Sequence, residues 1–121
     1  MSIRGVRGAT SVQEDTPEQI VAATTTLLTE IVQRNGIDTQ DIASVFFTTT
    51  TGLVSEFPAK AARLMGWGDV PLLCGHEMAV EKGLDKYIRV MIHWNTDTLQ
   101  RDVKHIYLNE AVQLRPDMVN Q

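Results

Sequence analysis

The chain has 121 residues, which is enough for one domain with its own hydrophobic core and too few for two. Hydrophobic residues make up 43% of it, as in ordinary globular proteins, and its net charge of −4 argues against nucleic acid as the main partner, because phosphate backbones bind basic surfaces. The single cysteine, Cys74, and the lack of a bilayer-length apolar run predict one cytoplasmic domain, residues 1–121, without a disulfide or a membrane partner.

The first half of the chain predicts a strand, a helix and a second strand. Residues 2–12 are β-prone, although glycines interrupt them. Thr16 is a suitable N-cap, a proline follows at the first helical position, and Gln19 completes a capping box. Apolar residues then recur at helical spacing as far as Gly36, a typical helix end. Residues 44–50, dense in β-branched and aromatic side chains, predict the second strand.

The second half predicts one shorter helix and three further strands. The helix spans residues 58–65, the strands cover residues 70–74, 87–94 and 103–108, and residues 112–114 extend the sheet. The order β-α-β-α-β-β-β indicates an α+β domain, a mixed β-sheet with two main helices packed on one face. The other face of such a sheet needs cover, which favours an oligomer.

No pattern in the sequence is typical of a metal or cofactor site. His76, His93 and His105 lack the spacing of zinc ligands, and Cys74 has no second cysteine as a partner. Cys74 and His76 are two residues apart on a strand and could form a nucleophile pair, but nothing marks the thiol as activated. The residues alone therefore predict neither a metal site nor an activated nucleophile.

Two arginines are unusual in their positions. Arg89 lies in the middle of a strand whose alternate residues form an apolar face, so its own side chain lies on the other face and needs a ligand or a partner surface. Arg7 lies close to glycines, where a tight backbone can expose its side chain. Glu77, taken alone, is an exposed loop carboxylate, and Tyr107 is a core ring with its hydroxyl at the rim. Taken one at a time, these residues do not identify a function.

Six segments taken in chain order do carry a family resemblance. They are residues 3–10 (IRGVRGAT), 57–63 (FPAKAAR), 74–78 (CGHEM), 88–91 (IRVM), 105–108 (HIYL) and 114–117 (LRPD). With nearly intact spacing from residue 3 to about 118, they resemble monofunctional chorismate mutases of the trimeric mixed α/β class. The predicted strands exclude the all-helical class of chorismate mutase.

The resemblance implies an isomerase of aromatic amino acid biosynthesis that converts chorismate to prephenate by a cofactor-free Claisen rearrangement. Such an enzyme must hold the folded, reactive conformer and stabilise the charge that develops on the ether oxygen. The resemblance assigns that cation to Arg89. It places Arg7 on a substrate carboxylate and the Tyr107 hydroxyl in the same region. It places Glu77 on the ring hydroxyl, with the backbone and thiol of Cys74 beside it.

The resemblance also implies a wider set of substrate-binding residues: apolar walls, a basic entrance, and the chain around the acidic residue. Besides the four catalytic residues, they are Phe57, Ala59, Lys60, Arg63, Leu73, Cys74, Gly75, His76 and Leu114. His76 receives no specific role. In this family the sites lie between subunits of a homotrimer, so residues 57–63 of one chain would face the arginine pocket of its neighbour. Three sheets would then close into a barrel-like core.

Two other functions are compatible with a trimer of this kind. One is a trimeric small-molecule binding or sensor protein that keeps the pocket and lacks turnover. The other is an enamine or imine deaminase, which would explain the oligomer but not the combination of Arg7, Glu77, Arg89 and Tyr107.

Overall fold

The structure, a computed structural model, describes residues 2–79 and 85–114. The loop glycine Gly83 and residues 115–117 of the last resembling segment lie outside the described residues. Within them the main elements follow in the predicted order. They are β1 (Ser2–Ser11), α1 (Pro17–Asn35), β2 (Ile42–Thr49), α2 (Ala59–Leu64), β3 (Leu72–His76), β4 (Tyr87–Thr96) and β5 (Ile106–Tyr107).

The described strands form one mixed sheet in the order β3-β2-β4-β1-β5. The central strand β4 pairs antiparallel with both β1 and β2, while β5 and β3 add in parallel at the two edges. Helix α1 packs against β1 and α2, and α2 packs against β3, so both helices cover one face of the sheet. The predicted α+β class is confirmed.

Helix α1 begins and ends where the sequence predicts. The Thr16 hydroxyl accepts a hydrogen bond from the backbone N–H of Gln19 at 3.2 Å, and Gly36 ends the helix in the left-handed conformation at φ 66°. The predicted capping box is only half formed. The Gln19 side chain accepts instead from the backbone N–H groups of Gln13 and Glu14, at 3.2 and 2.9 Å, and so ties the preceding loop to the helix.

The two faces of β4 differ as the alternation predicts. Ile88, Val90 and Ile92 are buried beneath the helices, together with the ring of Phe47 on the neighbouring strand. Arg89 lies on the opposite face and is exposed. The hydrophobic core therefore lies between the sheet and the helices, and the functional candidates lie on the other side.

The end of the chain differs from the prediction. The strand expected at residues 103–108 is reduced to β5, because the residues before it bond to helix α1: the Asn35 side chain pairs with both the N–H and the carbonyl of Lys104, at 2.8 and 2.9 Å. Residues 112–114 do not extend the sheet and belong to a 3-10 helix, Asn109–Leu114. Asn109 starts it with a positive φ of 55°, which turns the chain out of the strand direction.

Gly8 lies where β1 approaches helix α1 most closely. A Cβ added there would lie 2.7 Å from Ile31 Cδ1 and 3.0 Å from Val90 Cγ1. We expect Gly8→Ala to lower the free energy of unfolding by about 1–3 kcal/mol, the usual cost of overpacking a filled core. Denaturant unfolding measures it, with Gly68→Ala as control, since nothing lies within 4 Å of a Cβ at Gly68. Equal stability of the two variants would contradict the close packing described.

Candidate active site

A pocket of about 390 Å³ opens on the sheet face that the helices leave uncovered. This volume lies within the roughly 300–1,000 Å³ typical of small-molecule sites. We call it the sheet pocket. Its lining residues are Arg7, Gly8, Ala9, Phe46, Thr48, Glu77, Arg89, Val90, Met91, Tyr107 and Leu114.

The strand register brings the two arginines of the sheet pocket together. Arg89 lies opposite Ala9 on β1 and Thr48 on β2, because β4 runs between these strands. Arg7 lies opposite Met91, two residues further along β4, and therefore shares the face of Arg89. A rigid three-stranded platform thus carries both guanidinium groups, which is how a site holds charge in a fixed position.

Glu77 provides the acidic group of the sheet pocket. Its backbone N–H donates to the Thr49 carbonyl at 2.8 Å, which fixes the residue at the end of β3. Its Oε2 atom lies 3.1 Å from Nε of Arg89, an ion pair whose side chains are 22% and 48% exposed. Among the described residues this shielded oxygen accepts no hydrogen bond of good geometry, because the approach of Arg89 is poorly aligned. The carboxylate therefore has acceptor capacity left for a ligand.

The far wall of the sheet pocket is formed by Tyr107 and Leu114. Tyr107 lies beside Ala9 in the parallel pair of β5 and β1, and both wall residues pack against the cluster around the buried Tyr87. The Tyr87 hydroxyl donates to the Glu110 carbonyl at 3.0 Å and so holds the 3-10 helix that carries Leu114. Burial, with the nearby Glu110 carboxylate, raises the pKa of Tyr87, so this hydroxyl keeps the proton that it donates.

A second pocket, also of about 390 Å³, lies at the end of β3. We call it the loop pocket, and it is lined by Thr49, Leu53, Val54, Ser55, Glu56, Phe57, Pro58, Cys74, Gly75 and His76. Cys74 pairs with the buried Phe47 and packs against the core, so its thiol lies on the helix side of the sheet. Because side chains alternate along a strand, the two pockets lie on opposite faces of the same sheet.

The Cys74 thiol is not activated. Burial raises the pKa of Cys74 above its ordinary value, and the Ala59 N–H and the Arg63 charge, which act in the other direction, do not reverse this. His76 Nε2 lies 3.2 Å from the Leu53 carbonyl, to which it can donate, and so serves the loop. This geometry does not support the nucleophile pair that the sequence left open.

The residues implied by the resemblance divide between the two pockets. The sheet pocket contains the catalytic candidates Arg7, Glu77, Arg89 and Tyr107 together with Leu114. The loop pocket contains Phe57, Cys74, Gly75 and His76. The remaining candidates line neither: Ala59, Lys60 and Arg63 lie on α2, and Leu73 is exposed on the uncovered sheet face.

Sequence reasoning missed six residues of the sheet pocket: Gly8, Ala9, Phe46, Thr48, Val90 and Met91. The signal was present, because alternation places Phe46 and Thr48 opposite the buried Phe47, and Met91 on the face of Arg89. What the sequence did not show was that β2 and β4 are neighbours.

Two absences hold for the part of the chain that the structure describes. No three His, Cys, Asp or Glu side chains gather in it as metal ligands. None of its helices is long and apolar enough to cross a bilayer.

Comparisons with known proteins agree on one family. The family model described as chorismate mutase type I matches residues 3–118. The chain is 51% identical to a chorismate mutase AroH of Thermus thermophilus over 117 residues, covering 96% of each chain. It is 45% identical to the chorismate mutase AroH of Bacillus subtilis (strain 168) over 119 residues, covering 98% of this chain and 94% of that one. A solved chorismate mutase from Clostridium thermocellum superposes with a TM-score of 0.87 at 48% identity, covering 88% of this chain and 96% of that chain.

Proposed function

We propose that this chain, which belongs to the chorismate mutase type I family, isomerises chorismate to prephenate in a site built around the sheet pocket. The family model and the relatives confirm the resemblance found in the sequence. The observation that supports this location is the Glu77–Arg89 pair, in which a cation and an acceptor with spare capacity lie side by side on a rigid strand platform.

The reaction needs shape and charge rather than a reactive group. In the Claisen rearrangement the ether C–O bond of chorismate breaks while a new C–C bond forms, so no proton is transferred and no covalent intermediate arises. A pocket that holds the folded conformer removes part of the barrier. Negative charge builds on the ether oxygen as the bond stretches, and a fixed cation there stabilises the transition state more than the bound substrate.

We assign these tasks to the residues of the sheet pocket. Arg89, fixed on the central strand, stabilises the ether oxygen. Arg7 binds a substrate carboxylate, since its planar fork matches two oxygens. The Tyr107 hydroxyl donates in the same region, and Glu77 accepts from the ring hydroxyl with the oxygen that lacks a well-aligned donor.

The complete site is shared between two subunits in this proposal. Phe57 lies in the loop pocket, on the other face of the sheet from Arg89 of the same chain, and the residue is 63% exposed. Neither pocket alone combines the arginines with an aromatic wall from residues 57–63. If the sheet pocket of one subunit meets the loop pocket and α2 of its neighbour, Phe57, Lys60 and Arg63 join Arg89.

The uncovered sheet face supports a homotrimer as the assembly that brings these pockets together. Ile3, Phe46 and Leu73 lie on it and are 54%, 42% and 60% exposed. Large apolar side chains on one face are typical of obligate interfaces, which resemble a core cut in half. Closure of three sheets into a barrel-like core would bury them. The single free cysteine supports a cytoplasmic location for the enzyme.

We expect Cys74→Ser to keep turnover within about tenfold of the unmodified protein, because the thiol packs and does not attack; loss of a true nucleophile costs on the order of a millionfold. The measurement is kcat for chorismate loss, with circular dichroism as the check on folding. A well-folded Cys74→Ser protein without activity would restore the covalent mechanism.

The test of the proposed function separates turnover from binding. Purified protein is mixed with chorismate, and the loss of chorismate's ultraviolet absorbance is followed, while calorimetry measures binding. Saturable loss of absorbance supports the mutase. Binding without loss would favour the sensor protein, which shares the architecture and lacks the chemistry.

A further inference from the structure

The segment that carries Phe57, residues 50–58, joins β2 to α2 without forming a strand of its own. We propose that Asp15, which lies between β1 and α1, is a positioning residue for this segment and holds Phe57 where its ring completes the substrate site. This inference rests on the proposed function and extends it to a residue outside both pockets.

Three hydrogen bonds converge on one oxygen of Asp15. Its Oδ1 accepts from the backbone N–H of Val54 and of Ser55, both at 3.1 Å, and from the Ser55 hydroxyl at 2.8 Å. Hydrogen bonds to a carboxylate are shorter and stronger than those between neutral groups. Because two of the three donors belong to the backbone, Asp15 fixes the path of the chain just before Phe57.

Asp15 is ionised at neutral pH. The Ser55 hydroxyl, with the backbone N–H groups of Ser55 and Val54, lowers the pKa of Asp15 below its ordinary value of 3.8, and partial desolvation does not reverse this. A carboxyl group whose pKa is lowered by folding stabilises the folded protein at any pH above its ordinary pKa. That stabilisation is lost as the pH falls through the lowered pKa. The charged anchor is therefore in place under any ordinary assay condition.

The other contacts of residues 50–58 either hold the part of the segment near Leu53 or join residues close in sequence. Leu53 is buried against Ile20 and Ile88, and its carbonyl lies 3.2 Å from His76 Nε2. Glu56 accepts from the Phe57 N–H at 2.9 Å and from Lys60 Nζ at 3.3 Å, which ties the segment to the first turn of the helix that follows it and not to a distant part of the fold. Asp15 thus supplies the tie across the fold between the buried Leu53 and the exposed Phe57.

The expected effect is on substrate binding. Phe57 forms an apolar wall that contacts the substrate before and during the reaction, and an interaction of this uniform kind changes KM rather than kcat. Asp15→Ala should raise KM for chorismate on the order of tenfold, with kcat within about twofold. Asp15→Asn should recover most of the binding, since its side-chain oxygen can accept the same backbone N–H groups.

The decisive variant pair includes Phe57→Ala. If Asp15 acts through that ring, Asp15→Ala adds no further increase in KM when Phe57 is already alanine, because residues that act as a unit are not additive. Asp38→Ala is the matched control: Asp38 accepts the Gln40 N–H at 3.0 Å in a turn that lines neither pocket, so its loss should cost stability and leave KM unchanged.

The test uses the full chain, with KM and kcat measured well below the thermal midpoint of each variant. The inference is overturned, with the mutase activity unaffected, if Asp15→Ala leaves KM unchanged. It is also overturned if Asp15→Ala raises KM as much in the Phe57→Ala protein as in the unmodified protein. Absence of turnover in the unmodified protein overturns the proposed function and this inference with it. If Asp15→Ala does not fold, Ser55→Ala is measured instead. Loss of the 2.8 Å hydrogen bond from the Ser55 hydroxyl to Asp15 Oδ1 should raise KM about two- to threefold, and an unchanged KM overturns the inference.

Discussion

Arg89→Ala is expected to lower kcat for chorismate about a thousandfold or more while the protein still folds. Removal of one preorganised donor costs roughly a hundred- to a thousandfold, and Arg89 carries a full charge to the place where charge develops. Its side chain is 48% exposed and lies on the face away from the core, so its loss removes no core packing. The measurement is single-substrate kinetics, with circular dichroism and thermal unfolding as checks on the fold.

Two further variants sharpen this result. Arg89→Lys should stay badly impaired, because a compact ammonium does not reproduce the guanidinium fork. Arg101→Ala is the matched control, since Arg101 is exposed in the short 3-10 helix Gln100–Asp102 and lines neither pocket. If Arg89→Ala kept near-normal kcat, the electrostatic mechanism assigned to this residue would be wrong.

Mixing two inactive variants should restore activity if the site is shared between subunits. Arg63→Ala subunits keep an intact sheet pocket, and Arg89→Ala subunits keep an intact α2. Each shared site takes its sheet pocket from one subunit and its α2 from the neighbouring subunit. In a random mixture at equal concentrations each of these two parts is intact in about half of the sites, so about a quarter of the sites have both parts intact. We therefore expect up to about a quarter of the activity of the unmodified protein after subunit exchange.

The control for this mixing experiment places both defects in one pocket. Arg89 and Tyr107 line the same sheet pocket, so every site in a mixture of Arg89→Ala and Tyr107→Ala subunits carries one defect or the other. Such a mixture should show no more activity than its two parents do separately. Failure of the first mixture to exceed its parents, when each substitution alone inactivates, would contradict the shared site and leave the family assignment intact.

Local sequence signals predicted most of the fold. The capping residue Thr16 and the terminal Gly36 place helix α1, and alternation along residues 87–94 correctly separates the core face from the face of Arg89. The errors lie where distant residues intervene. Asn35 bonds to Lys104 and shortens the last strand, a competition that no local pattern reveals.

The arrangement of the candidate site could not be predicted from the sequence, and side chains that line the sheet pocket, such as Phe46 and Met91, were missed. The resemblance named Glu77 and Cys74 together, but alternation at the end of β3 sends them to opposite faces, which depends on the pairing of β3 with β2. Asp15 carries no sequence signal at all, because its role depends on a contact with Ser55 forty residues away. Register and long-range contacts are set by packing of the whole chain.

The most direct test of the central claim is the reaction in deuterium oxide, with chelator-treated protein and chorismate, followed by mass spectrometry and nuclear magnetic resonance. A Claisen rearrangement moves electrons between C–O and C–C bonds and transfers no proton, so the product should be prephenate of the same mass as chorismate. We expect saturable, complete conversion, with no need for added metal and no deuterium on carbon beyond the slow exchange that prephenate alone shows at the methylene next to its keto group. Deuterium on carbon above that of a prephenate control, a requirement for metal, or binding without conversion would contradict the account.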